Sequence, residues 1–313
     1  MTEQKIVPKK ETFGTILSRD LRRNKHIYII ILPVFAYYFV FHYLPMYGAL
    51  IAFKDFFPSR GVWGSPWVGF RHFKDFFGSY YFSRLIKNTL ALSVYSLIFG
   101  FPAPIILALL LNEQRAIWFK RIVQTITYIP HFISIVIVCG IIINFVKADG
   151  MIALMVKFFT GYDGNLLLDP KYFRTIYVAS GIWQQVGWSS IIYLATLAGI
   201  NFELYEAARI DGAGRWKQAL YITLPSLLPT ITILLILQMG SLMNIGFEKV
   251  MLLYNPRILD KADVISTFVY RQGILSAQYS YSAAVGLFNS AINCTLVICA
   301  NKIGKAVTEN SLW

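Results

Sequence analysis

Long apolar runs, separated by shorter polar and basic segments, set the plan of this chain. The runs lie near His26–Tyr47, Asn88–Leu111, Ile122–Val146, Thr175–Ala198, Leu220–Met243 and Ser282–Ala300. Each approaches or exceeds the roughly 20 residues that a helix needs to cross a bilayer core. The pattern predicts six transmembrane helices and an all-α polytopic membrane protein. A β-barrel would instead alternate apolar and polar residues over short strands. The chain then divides into five regions: a basic tail at 1–25, the first span at 26–53, an outer or interfacial segment at 54–87, a five-helix core at 88–301 and a tail at 302–313. The segment 54–87 is rich in Phe, Trp, Tyr and Gly. Such aromatics settle at the membrane–water boundary, so an interfacial helix is expected near His72–Arg84.

Composition agrees with this plan. Of the 313 residues, 56% are hydrophobic and only 14% charged, against about 25% charged in a soluble domain. The net charge of +13 comes from scattered bases without clustered stacking aromatics, so a nucleic acid partner is not expected. With the N-terminus placed inside, the four inner segments hold 15 of the 29 Lys and Arg, although they are the shorter share of the sequence outside the spans. That bias supports an N-in, C-in orientation. Cys139, Cys294 and Cys299 all fall in apolar runs without CxxC spacing and read as small buried hydrophobes. No charge falls within a predicted span, whereas a proton- or sodium-driven carrier usually places an acid there. Asp149, Asp169 and Glu248 read as solvated loop charges. No His, Cys, Ser or acid spacing suggests a catalytic set or a metal site.

One inner segment is too compact for a plain loop. Tyr205–Pro229 reads YEAARIDGAGRWKQALYITLPSLLP. Glu206, Ala207 and Ala208 suit a short helix, and Asp211-Gly212-Ala213-Gly214 breaks it. Asp211 is expected to cap the helix that resumes at Arg215. The reading is a helix–turn–helix over 203–219 that presents a small, Ala-faced knob to another protein. The chain itself has no G-x-x-x-x-G-K-[ST] loop, so it is not expected to bind nucleotide phosphates.

This stretch resembles the EAA motif of binding-protein-dependent ABC importer permeases, EAA-x3-G-x9-I-x-L-P. Glu206-Ala207-Ala208, Gly212, Ile222, Leu224 and Pro225 match each position. The resemblance covers roughly residues 85–305 and extends to the sugar-uptake branch. Segments such as GFEKVMLLYNP and YSYSAAVGLFNSAINC are similar to the permeases of oligo- and polysaccharide importers, including lipoprotein-linked and alginate-type ones. It implies a type I (MetI-like) permease fold in a bacterial cytoplasmic membrane. Within that fold, Glu206, Ala207, Ala208, Asp211, Gly212, Ala213, Leu224 and Pro225 would couple the chain to an ATPase. The implied partners are a second permease, two ATP-binding subunits that hold ATP and Mg, and an extracellular solute-binding lipoprotein. A large extracytoplasmic domain like that of the maltose-type large permease is not present between these spans.

The solute path is sought among neutral polar residues in the spans. Gln184 and Trp188 share one helical face, with Gln185 beside them, and Ser241 and Asn244 share another. With Phe247 and Asn289 they are the candidate path, because a sugar is held by planar hydrogen-bonding groups and aromatic faces. The same residues could equally join helices to one another, and both readings stand at this point. The alternatives are a permease of the same superfamily for another small solute, or a secondary carrier, which would show an intramembrane acid and inverted repeats.

Overall fold

The computed structural model describes residues 13–308 and 311–312, and the basic tail before residue 13 and the rest of the C-terminal tail lie outside the described residues. Among the described residues the chain is helical apart from short connections and one isolated bridge between Lys54 and Trp67. Helix α1 (Phe13–Arg23) breaks at Asn24 and leads into α2, which runs as one apolar stretch from Lys25 to Phe53. After the aromatic segment come α3 (Arg71–Phe77) and α4 (Tyr80–Glu113). The interfacial helix is therefore shorter than expected. Gly78 and Ser79 end it, and Tyr80 already begins the next long helix.

The third predicted span is not continuous. Helix α5 (Ile117–Tyr128) stops at a 3₁₀ turn, Ile129–Phe132, and α6 (Ile135–Val146) restarts after two extended residues. Pro130 is the cause, since it has no N–H to give to the preceding turn and its ring crowds the carbonyl four residues back. After α6 come α7 (Met151–Thr160) and the 29-residue α8 (Pro170–Ala198). Asp169 is more than a loop charge, because its side chain accepts the Lys171 N–H at 2.9 Å and caps α8.

Among the described residues, five stretches are long and apolar enough to cross a membrane: Lys25–Phe53, Tyr80–Glu113, Ile135–Thr160, Arg215–Gly240 and Tyr279–Ala306. Helix α8 is long enough, about 43 Å at 1.5 Å per residue, but its interior carries Ser180, Gln184, Gln185, Ser189 and Ser190. After α9 (Phe202–Ile210) comes α10 (Arg215–Gly240), which contains a π-helical turn over Ala219–Thr223. That turn precedes Pro225, where the missing N–H would otherwise interrupt the ladder.

The segment 246–281, between the fifth and sixth predicted spans, is folded rather than a plain loop. It forms α11 (Phe247–Leu253) and α12 (Ile265–Tyr270) before α13 (Tyr279–Thr308). Val250, Leu253, Ile258, Ala262 and Val264 from this segment are fully or nearly buried against Leu92, Val138, Cys139 and Ile142. Their apolar side chains face a core that the spans alone leave open. Cys139 is buried there, whereas Cys294 and Cys299 are exposed.

One buried charge cluster secures the segment. Asp263, with no exposed surface, accepts Arg271 Nη2 at 2.8 and 2.7 Å and Arg84 Nη2 at 3.3 Å. Asn88 Nδ2 donates to the Asp263 and Asp260 carbonyls, while Asn88 Oδ1 accepts Arg174. Burial alone would lower the Arg271 guanidinium, but the hydrogen bond and charge of Asp263 outweigh it and hold it above its ordinary value.

Candidate functional site

Two adjoining clefts open beside α4 and α8, one bordered by α11 and the other by α10. The first, about 590 Å³, is lined by Gln184 and Gln185 of α8 and by Phe247 and Lys249 of α11. The second, about 760 Å³, is lined by Gln185, Trp188 and Ser241. Ser96, Gly100, Pro104 and Ser189 line both. The small residues of α4 leave the space, and the polar face of α8 fills its wall.

The two glutamines do different work. Gln184 is buried, and its Nε2 donates to the Ile133 carbonyl at 3.4 Å, in the extended link that Pro130 creates. It closes the broken helix against α8. A Cβ at Gly187 would collide with the Thr127 carbonyl, so the glycine is what allows α8 and α5 to touch backbone to backbone there. Gln185 is exposed to the cleft, and its Oε1 pairs with His131 Nδ1 at 2.9 Å. The His131 ring stacks on Trp188, with centroids 4.4 Å apart and planes 1° apart. Gln185, His131 and Trp188 form one polar-aromatic shelf.

Ser241 donates to the Gln238 carbonyl at 3.2 Å and faces the second cleft. Phe247 packs at 4.9 Å against Tyr270 on the wall of the first. Asn244 and Asn289 line neither cleft. Asn244 Oδ1 accepts both Asn289 Nδ2 at 2.9 Å and Asn293 Nδ2 at 3.0 Å, which joins α13 to the end of α10. Sequence reasoning missed His131, Tyr177 and Lys249. The signal for Lys249 was a lone base inside an otherwise apolar GFEKVMLL run. The expectation that full charges stay away from the spans is corrected here. Lys249 Nζ bonds the Tyr177 carbonyl at 2.9 Å and would touch a Cβ placed on Gly181, well inside α8.

The second candidate site is the helix–turn–helix at the far end of α8. Asn201 caps α9 by accepting the Glu203 N–H at 3.0 Å. At its other end, Gly212 has φ +76°, Gly212 N–H bonds the Arg209 carbonyl and Ala213 N–H bonds the Ala208 carbonyl. These are the paired bonds of a Schellman ending, for which a left-handed glycine is the usual residue. Asp211 occupies the C-cap of α9 rather than capping α10, and Gly214 precedes the first turn of α10 instead. The difference arises because the left-handed turn directs the chain one residue further before helix resumes. Tyr205 and Thr223 hydroxyls lie 3.0 Å apart and Gln218 Nε2 bonds the Ala213 carbonyl at 2.7 Å, so both limbs are tied together. Glu206 and Ala207 are exposed and Ala208 and Ala213 half-buried, with Leu224 and Pro225 further along α10. Ile210 and Trp216 stand out at 87% and 90% exposure, which makes this knob apolar at its tip.

Comparison with known proteins places this architecture. The profile of the binding-protein-dependent transport system inner membrane component family matches residues 100–300. The chain is 47% identical over 294 residues to Protein LplB of Bacillus subtilis, covering 94% of this chain and 92% of that protein. It is 43% identical over 309 residues to the polygalacturonan/rhamnogalacturonan transport system permease protein YteP of the same organism, covering 98% and 96%. Among solved structures, a chain of a bacterial alginate ABC transporter in complex with its alginate pentasaccharide-bound periplasmic protein matches with a TM-score of 0.86 and 41% identity. That match covers 94% of this chain and 99% of that one.

Proposed function

The chain belongs to the family of inner membrane components of binding-protein-dependent transport systems, and on that basis we propose that it is the permease subunit of an ATP-driven importer of an oligosaccharide or polysaccharide. The observation that carries this reading is the shelf of Gln185 and Trp188 on the wall of the second cleft, held in place by His131. It combines planar hydrogen-bonding groups with an aromatic face, the pair of surfaces a sugar ring requires. The near full-length likeness to permeases named for polygalacturonan/rhamnogalacturonan and alginate transport supports it.

In this reading the chain crosses the membrane six times, with α8 as the span too polar to stand among the five apolar ones, and with both ends inside. The clefts face a second, homologous permease across the solute path. A solute-binding lipoprotein delivers the saccharide from outside. Two ATPase subunits, holding ATP and Mg, seat the 203–219 knob. Gln185 lies about 20 Å of helix before the end of α8 at Ala198, so a push on the knob reaches the cleft through the short link Gly199–Asn201 and one rigid helix. ATP closure then favours one of two orientations through its different affinity for each.

The test is Glu206→Lys in the assembled complex. The expected result is loss of saccharide uptake and of uptake-stimulated ATP hydrolysis with assembly intact. Survival of both would refute the coupling role.

A further inference from the structure

We propose that Lys249 is a carboxylate-binding residue of the solute cleft, and that the saccharide carried by this permease is acidic, a chain bearing uronic acid units. This rests on the saccharide reading above and narrows it.

Lys249 is 7% exposed and lines the 590 Å³ cleft. Its Nζ donates to the Tyr177 carbonyl at 2.9 Å and lies 4.7 Å from the centre of the Tyr177 ring. Among the described residues, no carboxylate stands within 4.0 Å of it. Three cations elsewhere in the fold are met by several carbonyls or by an anion, whereas Arg174 reaches only the neutral Asn88 Oδ1. Lys54 Nζ donates to the carbonyls of Val62, Ser65 and Trp63 at 2.8, 3.3 and 3.5 Å. Arg84 and Arg271 share Asp263. Lys249 instead holds a full charge against one carbonyl and an aromatic face, beside a helix long enough to span the membrane.

An ammonium out of water is met by several carbonyls, as at Lys54, or by a counter-charge. Three N–H groups are available and one is spent on Tyr177. A neutral sugar would leave the charge uncompensated, whereas a uronate presents a carboxylate on the ring itself. Gln185 and Ser189 on the same wall supply hydroxyl partners, and Phe247 an apolar face. Glu248 also borders the cleft but is exposed to water. It sits about 100° round the helix from its neighbour, where solvent screens it. A lone ammonium suits a carboxylate better than a phosphate, which usually gathers several donors or a helix N-terminus.

The experiment uses the complete complex in proteoliposomes, with trigalacturonate, trimannuronate, their methyl esters and maltotriose as probes. The expected result is transport of an acidic trisaccharide that falls roughly tenfold or more in Lys249→Gln, the scale of one charge-assisted bond. Transport of its ester should change less than twofold, and Lys249→Arg should restore the acid. Equal loss for acid and ester, or loss for neither, would overturn the proposal. Equilibrium binding of the same probes to the complex without its binding protein repeats the comparison free of that protein's own preference. A complex that carries maltotriose or the esters but not the acids would overturn the acidic reading and leave the importer reading intact. An ATP-hydrolysing complex that moves none of the five would overturn both.

Discussion

The imidazole of His131 lies flat on the indole of Trp188, 4.4 Å between centroids, while its Nδ1 pairs with Gln185 Oε1 at 2.9 Å. Three side chains thereby fix one another, with Gln185 and Trp188 on the wall of the second cleft, although His131 stands 54 residues before Gln185. A shelf so arranged is already in position when solute arrives. His131→Ala should raise the KM for uptake several-fold with little change in thermal stability, because His131 is only half-buried and its partners Gln185 and Trp188 are exposed. Uptake kinetics and thermal unfolding of the same variant check both halves.

Gln184 and Gln185 should separate cleanly under substitution. Gln184→Ala removes the donor to the half-buried Ile133 carbonyl and leaves that acceptor unmet, at a cost of about 1 kcal/mol. Gln185→Ala should spare stability and lower uptake. If Gln185→Ala leaves the affinity and rate of uptake unchanged, the shelf is not part of the solute path.

The knob depends on a left-handed backbone at Gly212, where φ is +76°. A β-branched residue there should cost about 1–2 kcal/mol and disturb the Schellman ending that sets the angle between α9 and α10. Gly212→Val is expected to uncouple ATP hydrolysis from uptake while the cleft still binds solute. The ratio of saccharide moved to ATP hydrolysed measures this.

Asp263 holds Arg271 and Arg84 together in the folded 246–281 segment. Asp263→Ala leaves two guanidinium groups facing each other without their anion and should cost about 3–5 kcal/mol. The drop is expected in thermal unfolding in detergent, with Asp263→Asn intermediate because it keeps the hydrogen-bond acceptor without the charge.

Close approach predicts a fifth effect. A Cβ at Gly187 meets the Thr127 carbonyl, so Gly187→Val should separate α8 from α5 at about 1–3 kcal/mol. Gly140, with nothing near its would-be Cβ, should accept alanine without loss, and the pair of melting temperatures checks the contrast.

What the sequence determined by itself was local. Runs of apolar residues fixed where helices long enough for a bilayer would form, because hydropathy depends only on the residues of the run. The Asp211–Gly214 break was equally legible, since a left-handed turn needs glycine whatever surrounds it. Pro130 is visible too, yet the run around it is apolar on both sides, and apolarity alone does not register a missing N–H. The tertiary structure decided what depends on distant partners. It set Gln184 to holding a helix and Gln185 to lining a cleft, although the two are neighbours in the chain. It also brought Lys249 beside Tyr177, 72 residues earlier, turning a loop charge into a buried one. Only packing settles such roles, because burial and pairing are properties of contacts that sequence spacing does not encode.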